Sequence, residues 1–120
     1  MLYFLDTCAI LEIFFGNKNY EKYKDVEFIT SKLNLFETHY RLLRDLGAEK
    51  ANLVLLKYLK YLVEFDIQDI KEASFFRWHN KQRKLSMVDT IGYVLAKKNK
   101  ALFLTGDKEF WDIQNVEFVK

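Results

Sequence analysis

Proline is absent from this sequence and cysteine occurs once. Without proline, helix boundaries must come from caps and from glycine, and there are only four glycines. Gly16, Gly47, Gly92 and Gly106 form no phosphate-binding loop, which argues against a nucleotide-dependent enzyme. With Cys8 alone no intrachain disulfide can form, which fits a reducing interior, and Cys8 itself reads as a small buried hydrophobe. An excess of one charge is missing too: 19 basic against 17 acidic residues leave +2. Contact with nucleic acid must therefore come from local patches. Apolar runs long enough to span a membrane are lacking. The start, Met1 to Asp6, has no basic segment of the signal-peptide kind. The expectation is a cytoplasmic protein without a membrane partner.

What is present is a large apolar supply. Half of the 120 residues are hydrophobic and 17% are aromatic, enough to bury both faces of a sheet in one domain spanning residues 1–120. Short apolar runs alternate with amphipathic stretches, the pattern of a parallel sheet with helices on both faces. Strands are expected at Leu2–Leu5, Glu27–Ile29, Val63–Ile67, Ala101–Thr105 and Val116–Val119. Helices are expected from Thr7 to Phe15, over a short charged stretch Tyr20–Lys24, and from a Thr30 or Ser31 cap to Leu46. Further helices run from Ala48 to Leu62, from an Asp69 cap to Lys84, and from Met87 to Lys98. A single helical turn is expected within Asp107–Ile113.

Four carboxylates stand where solvent is not expected. Asp6 and Asp107 directly follow buried-strand runs, and ligand sites of parallel sheets lie beyond the carboxyl ends of the strands. Either could equally be a helix cap. Glu37 falls on an apolar stripe of Leu33, Phe36, Tyr40 and Leu43, and Asp89 on one of Leu85, Val88, Gly92, Leu95 and Ala96. An inward carboxylate costs several kcal/mol unless a cation pairs with it or a metal binds it. Two carboxylates about 4 Å apart repel by roughly 4 kcal/mol at an effective dielectric of 20, so convergence of several requires a compensating cation. An all-oxygen set suits Mg²⁺ or Mn²⁺ better than zinc, and the chemistry that follows is phosphodiester hydrolysis.

These residues, in this order, resemble the PIN-domain family, in particular the small VapC-like ribonucleases of toxin–antitoxin pairs. The likeness runs almost end to end. It rests on Leu5-Asp6-Thr7, on Glu37 in Leu35-Phe36-Glu37-Thr38, on Leu85 to Thr90 around Asp89, and on Leu104 to Phe110 around Asp107. The resemblance implies a five-stranded parallel sheet in the order 3-2-1-4-5. It also implies Asp6, Glu37, Asp89 and Asp107 as catalytic, metal-holding acids, with Thr105 as a supporting hydroxyl and Asp112 as an extra acid. A homodimer and an inhibitory antitoxin partner are implied as well, with RNA as substrate. Two departures stand out: Thr90 follows Asp89 where the family favours a small apolar residue or cysteine, and Asn17–Glu27 is short and highly charged.

Arg41 and Arg44 could clamp a phosphate, or pair with Glu37 or Asp45. Arg77, Lys81, Arg83 and Lys84 precede Asp89 and could hold RNA, with Trp78 stacking on a base; the plainer alternative is a solvated face with Trp78 in the core. Surplus apolar residues between Ser31 and Leu62 read as core or as a partner surface. His39 and His79 lack metal-ligand spacing. A phosphohydrolase with an aspartyl nucleophile would want a second acid where Cys8 stands. A catalytically silent PIN-derived or receiver-like module, binding Mg²⁺ or a protein, is the main rival. A receiver-like module finds only partial answers in Asp66 and Lys108.

Overall fold

The computed structural model describes residues 1–120. The apolar run Leu2–Leu5 forms β1, the central strand. It pairs in parallel with β2 (Glu27–Ile29) on one side and β3 (Leu102–Thr105) on the other, and β4 (Val116–Phe118) completes the order β2-β1-β3-β4. Adjacent strand residues point to opposite faces, and both faces are covered. Leu5 and Leu104 belong to one apolar cluster, with Ile10, Leu42 and Tyr58. Phe4 and Phe103 belong to the other, with Leu95 and Phe110.

The helices are α1 (Thr7–Phe14), α2 (Lys32–Leu46), α3 (Ala48–Tyr58), α4 (Ile67–His79) and α5 (Met87–Lys98), with 3-10 turns at Lys18–Tyr23, Leu59–Tyr61 and Lys108–Phe110. Ser31 caps α2 and accepts from the Asn34 N–H at 3.3 Å. Gly47 ends α2 at φ 92°, a left-handed value that glycine adopts freely. Alpha5 packs tightly against the sheet at Gly92, where a Cβ would stand 2.9 Å from Phe4 Cε1 and 3.0 Å from Phe103 Cε1. No helix is long and apolar enough to cross a membrane.

The sheet has four strands, so the expected five-stranded sheet is corrected. Of the segment expected as a third strand, only a single parallel bridge survives, Thr30 with Leu62. The Val63 N–H donates to the Thr30 carbonyl at 2.9 Å, which places this stub beyond β2 where that strand was expected. The pairing stops there because Asp66 and Asp69 form a reciprocal capping box and draw the chain into α4 at Ile67. Asp66 is thus the cap, and Asp69 is its partner at the third helical position. The expected helix ends move as well. Alpha3 tightens into 3-10 after Tyr58, and α4 stops at His79, not at Lys84.

Candidate active site

Three of the four carboxylates fix backbone ends. Asp6 leaves β1 and caps α1: its Oδ1 accepts from the Ala9 N–H at 2.7 Å. Asp107 follows β3 and caps the turn Lys108–Phe110, accepting from the Glu109 N–H at 2.9 Å. Its own N–H donates to Thr105 Oγ1 at 3.0 Å. Asp89 sits in the first turn of α5 in a reciprocal box with Ser86, Oδ2 accepting from the Ser86 N–H at 3.1 Å. The cap reading therefore holds for Asp6 and Asp107. Both strand ends concerned are carboxyl ends, and β1 and β3 are neighbours.

Glu37 reaches the group from α2. The Thr7 hydroxyl donates to its Oε1 at 2.6 Å. Thr7 in turn accepts from Asn34 Nδ2 at 3.2 Å, and Asn34 Oδ1 accepts from the Ser31 hydroxyl at 2.7 Å. The stripe expected to carry Glu37 inward is corrected. Phe36, Tyr40 and Leu43 are exposed, and α2 buries Asn34, Leu35, Thr38 and Leu42. Glu37 lies at the border of that buried face and is half-buried. Thr7 and Asn34 were not singled out in the sequence. Thr7 was visible only as the residue after Asp6, and Asn34 only as a polar residue one turn before Glu37.

The electrostatics tie the acids together. Asp6 is 2% exposed. Burial pushes its carboxyl up to about 7, against the pull of the Thr105 hydroxyl and the Ala9 N–H, and the negative charges of Asp89 and Asp107 raise it further. Burial likewise raises Asp89; Ser86 opposes the shift, while Asp107 and Glu37 add to it. None of the four acids forms an ion pair. The alternative in which a lysine or arginine neutralises each inward acid therefore does not occur.

A cleft of about 380 Å3 opens beside them, lined by Thr7, Cys8, Leu11, Glu37, Tyr40, Arg41, Ser86 and Asp89. Arg41 is its only cationic lining residue and has no acidic partner. Three other basic candidates are engaged elsewhere. Arg44 pairs with Asp45 at 2.8 Å, Lys81 lies 4.2 Å over the Trp78 ring, and Arg83 pairs with Asp112 at 2.8 Å. That contact holds the exposed Asp112 carboxyl below its usual range. Trp78 is 65% exposed, so its core reading is corrected: α4 buries Ala73 and Asp69 instead. Cys8 is also exposed, at the cleft, and not the buried hydrophobe expected. Desolvation of its sulfur and then the Asp6 charge push its thiol up, which keeps it protonated and a poor nucleophile.

No three acidic, histidine or cysteine side chains stand close enough to enclose an ion by themselves. A hard divalent ion that keeps several waters needs only one or two direct carboxylates. Mutual repulsion among Asp6, Asp89 and Asp107, with no protein cation to relieve it, is the donor chemistry that such an ion fits.

The fold is a parallel α/β sheet that carries Asp6 and Asp107 at the carboxyl ends of its two central strands. The chain belongs to the PIN domain family, whose pattern matches residues 3–116. No curated protein matches the chain. Among solved structures it is similar to Mycobacterium tuberculosis VapC20, a Sarcin-Ricin loop cleaving toxin, at TM-score 0.79 and 19% identity over 100% of both chains. It is similar also to VapBC2 from Rickettsia felis, bound to a DNA fragment from their promoter, at TM-score 0.75 and 20% identity over 100% of both chains. A toxin-antitoxin complex from Klebsiella pneumoniae is similar at TM-score 0.76 and 18% identity, covering 96% of this chain and 95% of that one. At these identities the likeness concerns the fold.

Proposed function

We propose that the protein is a Mg²⁺- or Mn²⁺-dependent endoribonuclease, acting as the toxin of a toxin–antitoxin pair. The observation that carries this reading is the set of four acids without a single cationic partner, two of them raised by burial and, to a lesser degree, by the charges of the others, beside a cleft that holds an unpaired arginine. Asp6, Asp89, Asp107 and Glu37 would hold the ion, directly or through its waters. When bound, the ion supplies a water of lowered pKa and neutralises charge on the phosphate.

The remaining roles fall to the chain itself. Arg41 binds a phosphate of the strand as it enters the cleft, leaving the acids to face the scissile phosphate. Glu37, its Oε1 fixed by Thr7, offers Oε2, which accepts no hydrogen bond from the protein, to orient the attacking water. Thr105 stabilises the Asp6 carboxylate and fixes the Asp107 backbone. The exposed apolar side of α2 and α3 supports a protein partner, an antitoxin or a second copy in a homodimer. A cytoplasmic setting is part of the same reading.

The test is cleavage of a mixed single-stranded and structured RNA pool by the purified chain with Mg²⁺ or Mn²⁺. Cutting should vanish with EDTA and fall at least about 100-fold in Asp6→Asn and in Asp89→Asn. Cutting that persists in EDTA, or in both variants, overturns the proposal. A chain that binds the ion but cuts nothing supports the silent-module alternative.

A further inference from the structure

A second cavity borders the Asp107 turn. Its volume is about 530 Å3, larger than the acid-lined cleft, and Gly106, Lys108, Trp111, Phe118 and Lys120 line it. Trp111 is 62% exposed, and Phe118 meets its ring edge-on at 5.2 Å. Both aromatic residues are held by the fold. The Trp111 N–H donates to the Lys108 carbonyl at 3.1 Å at the end of the turn that Asp107 caps, and its neighbour Phe110 is fully buried. Phe118 lies in β4, in register with Thr105. Asp107 and Trp111 thus stand at opposite ends of one short turn.

The two charged side chains that line the cavity are both basic. Lys108 and Lys120 form no ion pair, and the Lys120 carbonyl is anchored by Asn19 Nδ2 at 2.9 Å. A large exposed indole flanked by two unpaired ammonium groups fits a flat aromatic ligand that carries anionic groups on either side. The other exposed tryptophan is differently placed: the Trp78 ring is already covered by its own cation, Lys81 at 4.2 Å, whereas no cation lies over Trp111.

We propose that this cavity is a nucleobase subsite for single-stranded RNA: one unpaired base stacks on Trp111 against Phe118, and Lys108 and Lys120 neutralise the phosphates that flank it. The choice of RNA as ligand rests on the nuclease reading above. The subsite would set which nucleotide lies next to the carboxylates, because Gly106 and Asp107 join the two places covalently.

The experiment measures binding of a labelled single-stranded RNA of roughly eight nucleotides by fluorescence anisotropy, with millimolar Mg²⁺, in an Asp89→Asn background that prevents turnover. Trp111→Ala should weaken binding about 10- to 100-fold, and Trp111→Phe should retain most of the affinity. Lys108→Gln with Lys120→Gln should reduce the slope of log affinity against log salt by about 1.4, two phosphates at about 0.7 each. Duplex RNA should be insensitive to Trp111, since paired bases cannot reach the ring. Thermal melting of Trp111→Ala checks that the variant is folded. Unchanged affinity in folded Trp111→Ala overturns the subsite, as does a loss seen in Trp78→Ala in its place or an equal loss for duplex. Cleavage by the chain with Asp89 intact is scored separately: if it fails while Trp111 dependence holds, the enzymatic reading falls and the subsite remains.

Discussion

Asp6 performs two tasks that pull against each other. It caps α1 through one oxygen, and it sits buried among other acids with a carboxyl raised from 3.8 to about 7. The folded chain therefore keeps a proton on Asp6 that the unfolded chain has released. Between these two values the native state binds more protons, so stability falls as pH rises from about 4 to about 7 and stays reduced above it. Metal-free protein should melt at a lower temperature at about pH 8 than at about pH 5, and Asp6→Asn should remove most of that difference. Added Mn²⁺ should raise the melting temperature at the higher pH more than at the lower, because only the ionised carboxylate binds it. Scanning calorimetry in EDTA and in Mn²⁺ checks both. At this scale the sequence was informative: Asp6 and Asp107 were visible as acids directly after apolar strands, and Asp89 as an acid among apolar neighbours. Glu37 was found for a reason that does not hold. Its supposed stripe is exposed, and what brings it inward is Thr7, whose hydroxyl lies thirty positions away in sequence. Such a contact leaves no periodic signal.

Alpha5 shows the same coupling between fold and site at the scale of an element. Its first turn carries Asp89 in the Ser86 box, and one turn later Gly92 lets the helix approach Phe4 and Phe103. Gly92→Ala would set a methyl at 2.9 Å from one ring and 3.0 Å from the other, so overpacking should cost about 1–3 kcal/mol, read from urea unfolding. Ser86→Ala removes a cap and should cost about 1 kcal/mol, with activity falling by more than that loss of stability explains, because Asp89 loses its orientation. Beta1, β2, β3 and β4 were legible as short apolar runs, whereas their relative order came only from the family resemblance. The third strand was not, for a local reason. Val63–Ile67 has strand composition, but the Asp66–Asp69 box competes for the same residues and wins. Alpha2 was misread on which side is buried, because it carries two apolar stripes. Periodicity shows that a stripe exists; it does not say whether the sheet or solvent faces it.

Across the whole molecule, two apolar clusters grip the two faces of one small sheet, which leaves the carboxyl ends of β1 and β3 free to present acids. The radius of gyration, 13.8 Å, matches the roughly 13.6 Å of a compact chain of this length. Yet Phe36, Leu53, Leu56 and Leu59 are all at least half exposed on α2, α3 and the turn after them. A surface of this kind is expected to be covered. Sedimentation equilibrium should therefore give about twice the 14.4 kDa of one chain, and a mass of 14.4 kDa at all concentrations contradicts the homodimer. Composition could not show this, since an apolar residue awaiting a partner and one in the core look alike in sequence. The central claim, that four unpaired acids make one cation site, is tested most directly by calorimetric titration of Mn²⁺ into the chain and into Asp6→Asn and Asp89→Asn. The account predicts saturable binding in the unaltered protein that is lost or at least about tenfold weaker in each variant. Equal binding in all three proteins, or none in the unaltered one at millimolar ion, would contradict it.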